Sequence, residues 1–306
     1  MRIDTAILST AFRYFAAVAS AGSIRAASRE LNIAASAINR QVLLLEDAIG
    51  LGLFERTGRA MVLTEAGHLL LAACRETLES YDNVLAGVDA LKGLQRGKVR
   101  LASVETVSVN LLPQLIAAFR HRLPGIETVL TITGSDQVAS LVARREADLG
   151  FTFNPQSLEG LEVAWSRALP IGAVMAPGHP LARRRKLTVA DCLAHPYALP
   201  ARGLSLRTAL EAVMGRLKER PRPALEANSP RLMAALARTG GLIAFQPRVG
   251  IEQYLEAGSL TFVKLADGDL PADELMLVRP AGRRAGGAAE AFFRHALEGV
   301  KAWPVL

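Results

Sequence analysis

Asn39 and Arg40 carry side chains suited to reading nucleic acid. An asparagine amide pairs bidentately with adenine, and a guanidinium with guanine or a phosphate. Ala35 and Ser36 lie one helical turn before them. Further on, Arg56 and Arg59 flank a short Thr57-Gly58 turn, where arginines suit phosphates or the minor groove. Together these residues could bind DNA, provided the surrounding elements hold them on one surface.

Phe12, Phe15, Ala16 and Ala19 recur at helical spacing and predict a first helix with one apolar face. Gly22 breaks it, and Ser23 is the expected N-cap of a short helix from Ile24 to Leu31. Ala26 and Ala27 are small enough for another helix to cross closely. Asn32 tolerates the left-handed conformation that a tight turn between helices needs. A further helix is expected from about Ala34 to Ile49, with Ile38, Val42 and Leu45 as its buried stripe. Ala35, Ser36, Asn39 and Arg40 fall off that stripe near the helix N-terminus, the end from which a recognition helix reads base edges. Leu53 to Arg56 and Met61 to Leu63 then read as two short strands joined by Thr57-Gly58-Arg59 into a hairpin, with Arg56 and Arg59 at its tip. A three-helix hairpin that binds nothing would share the helical pattern. The hairpin arginines and the long helix that follows favour DNA.

This stretch resembles the N-terminal domain of LysR-type transcriptional regulators. The matching residues are Phe15, Ala19, Gly22, Ser23, Ala26-Ala27, Leu31, Ser36-Ala37, Arg40-Gln41, Leu45-Glu46, Gly50, Leu53-Phe54-Glu55-Arg56, Leu63-Thr64 and Ala66-Gly67. The resemblance implies a winged helix-turn-helix. Many members carry Ser-Gln-Pro where this chain has Ala34-Ala35-Ser36, and a serine in place of Asn39. The usual glutamine base contact is therefore absent, and the operator cannot be copied from better-known members.

Thr64 can cap a long helix reaching about Lys92, and Glu65 favours its N-terminal dipole. Leu70, Cys74, Thr77, Tyr81, Val84, Val88 and Leu91 alternate at spacings of four and three, a heptad seam that predicts dimerisation. The alternative is a helix packed on its own domain. Gly93 to Lys98 breaks the pattern and reads as a hinge.

From Val99 onward, short apolar strands alternate with helices, which predicts an α/β fold with a parallel sheet. Expected early elements are strands Val99–Val104, Glu127–Thr133 and Ala147–Phe153 and helices Val107–Arg122 and Asp136–Arg145. Ala147-Asp148-Leu149-Gly150, Gly178-His179-Pro180-Leu181 and Gly241-Leu242-Ile243-Ala244-Phe245-Gln246-Pro247 are similar to segments of the LysR-type effector domain, a relative of periplasmic solute-binding proteins. The expected layout is a DNA-binding domain over 1–63, a linker and dimerisation helix over 64–92, a hinge over 93–98 and an effector-binding domain over 99–306. Within the last, subdomain I covers 99–164 and 269–306, and subdomain II 165–268. The resemblance also implies a homodimer that assembles to a homotetramer, with RNA polymerase as a further partner.

In open α/β sheets, ligands bind beyond the carboxyl ends of strands, near helix N-termini. Thr106 and Ser135 follow the first two strands and Phe153 and Asn154 the third, while Arg202 and Ser205 precede a helix of the second subdomain. Thr106 falls where family members place a serine or threonine that contacts the effector. Thr106 and Ser135 could equally serve as helix caps. Glu105 either pairs with Arg202 or meets a cationic group on the ligand. Unless Arg202 neutralises it, the carboxylate disfavours a purely anionic effector and favours one with an amino group.

Composition sets the outer limits. Of 306 residues, 50% are hydrophobic, which excludes global disorder and gives several domains real cores. No apolar run is long enough for a membrane helix, and the N-terminus does not read as a signal peptide. Cys74 and Cys192 fit a reducing cytoplasm and are expected to be buried structural thiols. The net charge is +7, yet residues 1–60 hold only +2 of it, seven arginines against five acids. Much of the rest sits in Arg183-Arg184-Arg185-Lys186 and between Arg216 and Arg222, so the DNA reading rests on the motif and not on the charge. A transport binding protein of the same fold would lack the helix-turn-helix. For an enzyme, the five histidines include no metal-spaced pair, and there is no nucleophile elbow or phosphate loop. We therefore expect no catalysis, metal or cofactor, only a small-molecule effector.

Overall fold

Helix α1 (Thr10–Ala21) turns Phe15 and Val18 inward, and both are fully buried; of the expected face, Phe12, Ala16 and Ala19 are half-buried, and Val18 takes the second core position in their place. The computed structural model describes residues 10–57, 60–74, 77, 96–217, 221–282 and 286–304, with backbone alone at 56, 57 and 60. The chain divides into two compact units, 1–85 and 86–306.

In the first unit, Ser23 caps α2 (Ile24–Leu31) by accepting a hydrogen bond from the Ala26 amide at 3.2 Å. Asn32, at φ 54° and ψ 44°, ends α2 in the left-handed turn expected of it. The chain then enters α3 (Ala35–Ile49), which buries Ile38 and Val42 and leaves Leu45 half-buried. Strands β1 (Phe54–Thr57) and β2 (Ala60–Leu63) pair antiparallel with Phe54 opposite Leu63, the expected hairpin. Two contacts fix its direction. The Glu46 carboxylate near the end of α3 accepts the Leu53 and Phe54 amides at 2.8 and 3.2 Å, and the Met61 amide donates to Gly22 O at 3.0 Å. Thr64 accepts the Gly67 amide at 3.0 Å and caps α4 (65–74), as predicted. Leu71 and Cys74 of α4 are buried in this unit's own core with Phe15, Val18 and Ala27. The first positions of the expected seam thus serve this unit's fold rather than an open face. Tyr81, Val84, Val88 and Leu91 lie outside the described residues.

The second unit opens with β3 (Gly97–Ser103), so the end of the expected hinge, Gly97-Lys98, is a paired strand opposite Ile126 and Glu127. The single helix expected over Val107–Arg122 is broken into α5 (Glu105–Val109) and α6 (Leu111–Arg122). Asn110 adopts φ −131° between them, and its side-chain oxygen accepts a hydrogen bond from the Gln114 side-chain amide at 2.6 Å. Then come β4 (Ile126–Ile132), α7 (Ser135–Ala143), β5 (Leu149–Phe153) and β6 (Leu161–Leu169). The second subdomain holds β7 (Gly172–Met175), α8 (Val189–Leu193), β8 (Ala198–Pro200), α9 (Ser205–Met214), β9 (Leu225–Ala227), α10 (Pro230–Arg238), β10 (Ala244–Gln246), α11 (Glu252–Glu256) and β11 (Thr261–Lys264). The chain returns through β12 (Asp273–Pro280) and ends on α12 (Gly287–Ala302).

The first sheet has the order β4-β3-β5-β12-β6. The predicted parallel pairing holds for β4, β3 and β5, but β12 enters antiparallel between β5 and β6. A parallel neighbour needs a crossover, commonly a helix, laid over the sheet. Here the chain instead comes straight back from the second subdomain over residues 265–272. The second subdomain is also mixed, with an antiparallel trio β10-β7-β11 and a parallel pair β8-β9. β6 continues to Leu169, beyond the expected subdomain limit, and Leu169 pairs with Asp273, the first residue of β12. The two strands that carry the chain between subdomains therefore meet side by side. Phe119, Phe151 and Phe292 anchor the core under the first sheet, and Tyr197, Leu210 and Phe245 the largest core of the second subdomain.

Candidate functional site

Ser36 and Arg40 are exposed on α3, with Ala35 and Asn39 half-buried beside them, while Ile38 and Val42 of the same helix turn into the core. The sequence-predicted residues therefore share the outer side of the helix. Ser36, Asn39 and Arg40 line a shallow concavity of about 400 Å³ with Leu43, Leu44 and Asp47, which the sequence reading missed. Leu43 and Leu44 are 45% and 50% exposed, unusual for adjacent leucines, and apolar groups in a DNA-reading face suit thymine methyls. Their signal is the first and second leucine of Leu43-Leu44-Leu45, of which only Leu45 belongs to the expected buried stripe. Arg56 lies in β1 opposite Met61, and its side chain, like Arg59 altogether, lies outside the described residues.

A second concavity, of about 380 Å³, lies between the subdomains of the second unit. Glu105, Thr106, Ser135 and Phe153 all line it, as predicted. Each comes from a strand end or helix start. Val104 and Glu105 follow β3, Thr133 to Ser135 join β4 to α7, and Phe153 ends β5. Thr106 and Ser135 are 9% and 4% exposed. Neither hydroxyl caps its helix, because the N-caps of α5 and α7 are Val104 and Gly134. Gly250, at φ +85°, brings the loop after β10 against Thr106. A Cβ there would lie 2.8 Å from the Thr106 carbonyl oxygen, so only glycine fits without displacement.

Arg202 is a correction. It is exposed and does not line the cavity. Gly203, at φ +91°, turns the chain after it, and Ser205 enters the cavity instead. The expected pairing of Arg202 with Glu105 does not occur. Glu105 accepts hydrogen bonds from the Ser229 hydroxyl at 3.0 Å and the Arg231 amide at 3.3 Å. A carboxylate of the first subdomain thus caps the N-terminus of α10 in the second, where the helix dipole favours negative charge.

Ser205, expected at the start of its helix, lines the cavity, and so do Asp273, Gln246, Asn228 and Ser229, which the sequence does not single out. Asp273 is 3% exposed, and burial pushes its carboxyl up to about 6 despite hydrogen bonds from Ser205 and Asn154. Asn154 donates to it at 3.1 Å. Gln246 is 1% exposed, and its Oε1 has no hydrogen-bond partner among the described residues.

Cys74 and Cys192 are fully buried, and burial raises their thiols to about 11 and about 12. They are structural thiols, as expected, and not poised for thiolate chemistry. Among the described residues, no three His, Cys, Asp or Glu side chains are grouped to hold a metal, and no helix is long and apolar enough to cross a membrane.

Comparison with known proteins fits both concavities. Residues 9–68 match the family model described as "Bacterial regulatory helix-turn-helix protein, lysR family", and residues 92–301 match "LysR substrate binding domain". The chain is 30% identical over 288 residues to the SDS degradation transcriptional activation protein of a Pseudomonas species, covering 91% of this chain and 92% of that one. It is 29% identical over 280 residues to the RuBisCO operon transcriptional regulator of Allochromatium vinosum, covering 92% of each. Among solved structures, full-length OxyR of Pseudomonas aeruginosa superposes with a TM-score of 0.73 over 97% of this chain and 95% of that one. The sequence identity there is 16%, so that likeness speaks for the fold.

Proposed function

We propose a mechanism for a chain that belongs to the LysR family of DNA-binding transcriptional regulators, with a helix-turn-helix domain and an effector-binding domain. Residues 1–63 dock on duplex DNA with α3 in the major groove. Ala35, Ser36, Asn39 and Arg40 approach base edges, while Arg56 and Arg59 of the hairpin hold the backbone or minor groove. Residues 64–92 join two copies, and residues 99–306 bind a small-molecule effector between the subdomains. Two dimers pair into a homotetramer, which works in the cytoplasm and contacts RNA polymerase at its promoters. The chain acts by binding and not by catalysis, and without a cofactor.

The observation that supports this most directly is the convergence of Glu105, Thr106, Ser135 and Phe153 on one cavity, with Ser229 and Gln246 facing them from the second subdomain. The Glu105 contact to Ser229 and Arg231 spans the subdomains, so their spacing depends on what occupies the cavity. A ligand shifts closure only by its differential affinity for the two states. Closure then alters the spacing of the paired DNA-binding domains.

Thr106→Val tests the reading, because it removes a hydroxyl with little change in volume. Operator binding by the full chain should stay intact in a gel-shift titration, while a promoter fusion should lose its response to the effector. A Thr106→Val protein that responds normally would sink the pocket assignment.

A further inference from the structure

Among the described residues, the cavity between the subdomains is lined by two carboxylates, Glu105 and Asp273, and by no lysine, arginine or histidine. Arg231 reaches Glu105 only through its backbone amide, and its side chain is exposed, like that of Arg202. Glu105 holds the first turn of α10, and Asp273 accepts a hydrogen bond from the Ser205 side chain. An anionic ligand would therefore meet two carboxylates, with no lysine, arginine or histidine among the described lining residues to offset them. A cation would meet the reverse.

The polar groups agree with the charges. Gln246 lines the cavity, and its buried amide oxygen has no hydrogen-bond donor among the described residues. A buried acceptor left unpaired costs free energy that a ligand N–H would recover. Asp273 also lines the cavity, and burial raises its carboxyl to about 6. An ammonium group carries up to three N–H donors, enough to serve a carboxylate and an amide oxygen together. The apolar walls, Val104, Ile132, Phe153, Leu204 and Leu206, suit a short hydrocarbon or aromatic body.

We infer that the effector of this chain is a small protonated amine whose ammonium group sits among Asp273, Gln246 and Glu105. The inference rests on the cavity being the effector site. It goes further by naming the ligand class and the residues that select it. Asp273 at the start of β12, beside Leu169 at the end of β6, places the charge-reading group where the chain crosses between the subdomains. Cation binding there acts directly on the strands that set closure.

The test uses the full chain and matched probes on similar skeletons: putrescine against succinate, benzylamine against benzoate, phenethylamine against hydrocinnamate. Each is added at millimolar concentration in a thermal-shift assay, and binders are titrated by calorimetry. At least one amine should raise the melting temperature while its matched carboxylate does not. Asp273→Asn should weaken that amine by about tenfold or more, the loss of one charge-assisted partner. Glu105→Gln, which keeps an acceptor for Ser229, should weaken it less, and Thr106→Val should weaken it independently of charge. If carboxylates bind instead and Thr106→Val weakens them, the amine assignment falls while the cavity stays the effector site. If amines bind but neither Thr106→Val nor Asp273→Asn affects them, the cavity reading fails and this inference with it. If no amine shifts the melting temperature, the ligand class is wrong.

Discussion

The outer face of α3 and the cavity between the subdomains solve recognition in opposite ways. On α3, Ser36 and Arg40 stand on a helix whose other side supplies the fold through Ile38 and Val42. Exposed and core-forming residues are separated across one helix, so the proposed reading residues can change without disturbing the core. In the cavity, Thr106, Ser135, Gln246 and Asp273 are all buried, and each is embedded in the packing that joins the subdomains. There the residues that would read a ligand also carry the structure. A surface that meets a polymeric anion works while solvated, whereas a pocket for a small molecule must first give up its water. The cost of that is visible in Asp273 and Gln246.

The largest effect that would break this contrast is expected at Gly250. Gly250→Ala combines a left-handed backbone with a contact on the Thr106 carbonyl, and should cost roughly 3 kcal/mol in a denaturant titration of the second unit. A loss under about 0.5 kcal/mol, the range of ordinary surface changes, would mean the loop moves freely away from Thr106.

Asp273 sharpens the contrast through pH. Its folded value of about 6 lies above the ordinary 3.8, so the folded chain holds the proton more tightly than the unfolded one. That contribution is fully present below the ordinary value and is lost as pH rises through about 6. Above that range the buried charge is a penalty on the order of 3 kcal/mol. Asp273→Asn should therefore stabilise the chain in mildly alkaline buffer and leave it unchanged in strong acid. Thermal melts across pH check this, and a gain of equal size at every pH would contradict it.

The smallest effect is expected at the cysteines. With thiols raised to about 11 and about 12 and no exposure, Cys74 and Cys192 should not react with a thiol reagent in the native chain and should react at once in denaturant. Rapid labelling of either in the native state would reopen a redox role.

The legibility of the sequence followed the same division. Ser23, Asn32 and the bounds of α2 were readable because caps and left-handed turns are local chemistry. The cavity was half readable. Glu105, Thr106, Ser135 and Phe153 follow from the rule that strand ends face ligands. Gln246 and Asp273 enter by long-range pairing of β10 and β12, which no local pattern encodes. Arg202 was misjudged because its position before α9 looked like the cavity mouth, whereas the backbone at Gly203 directs Ser205 there instead. The short helix α8 was overlooked although Thr188 and Asp191 form a complete capping box, since five residues leave no periodicity to read.

The central claim is that α3 reads DNA through its exposed face while its buried face holds the fold. Its most direct test is selection of binding sites from random duplexes by the full chain and by Asn39→Ala, with melting curves taken alongside. The account predicts a defined half-site for the wild type. The variant should lose preference at one position of it, at roughly 1–3 kcal/mol, with its melting temperature unmoved. An Asn39→Ala protein that selects the same sequence with the same discrimination at every position would contradict the account.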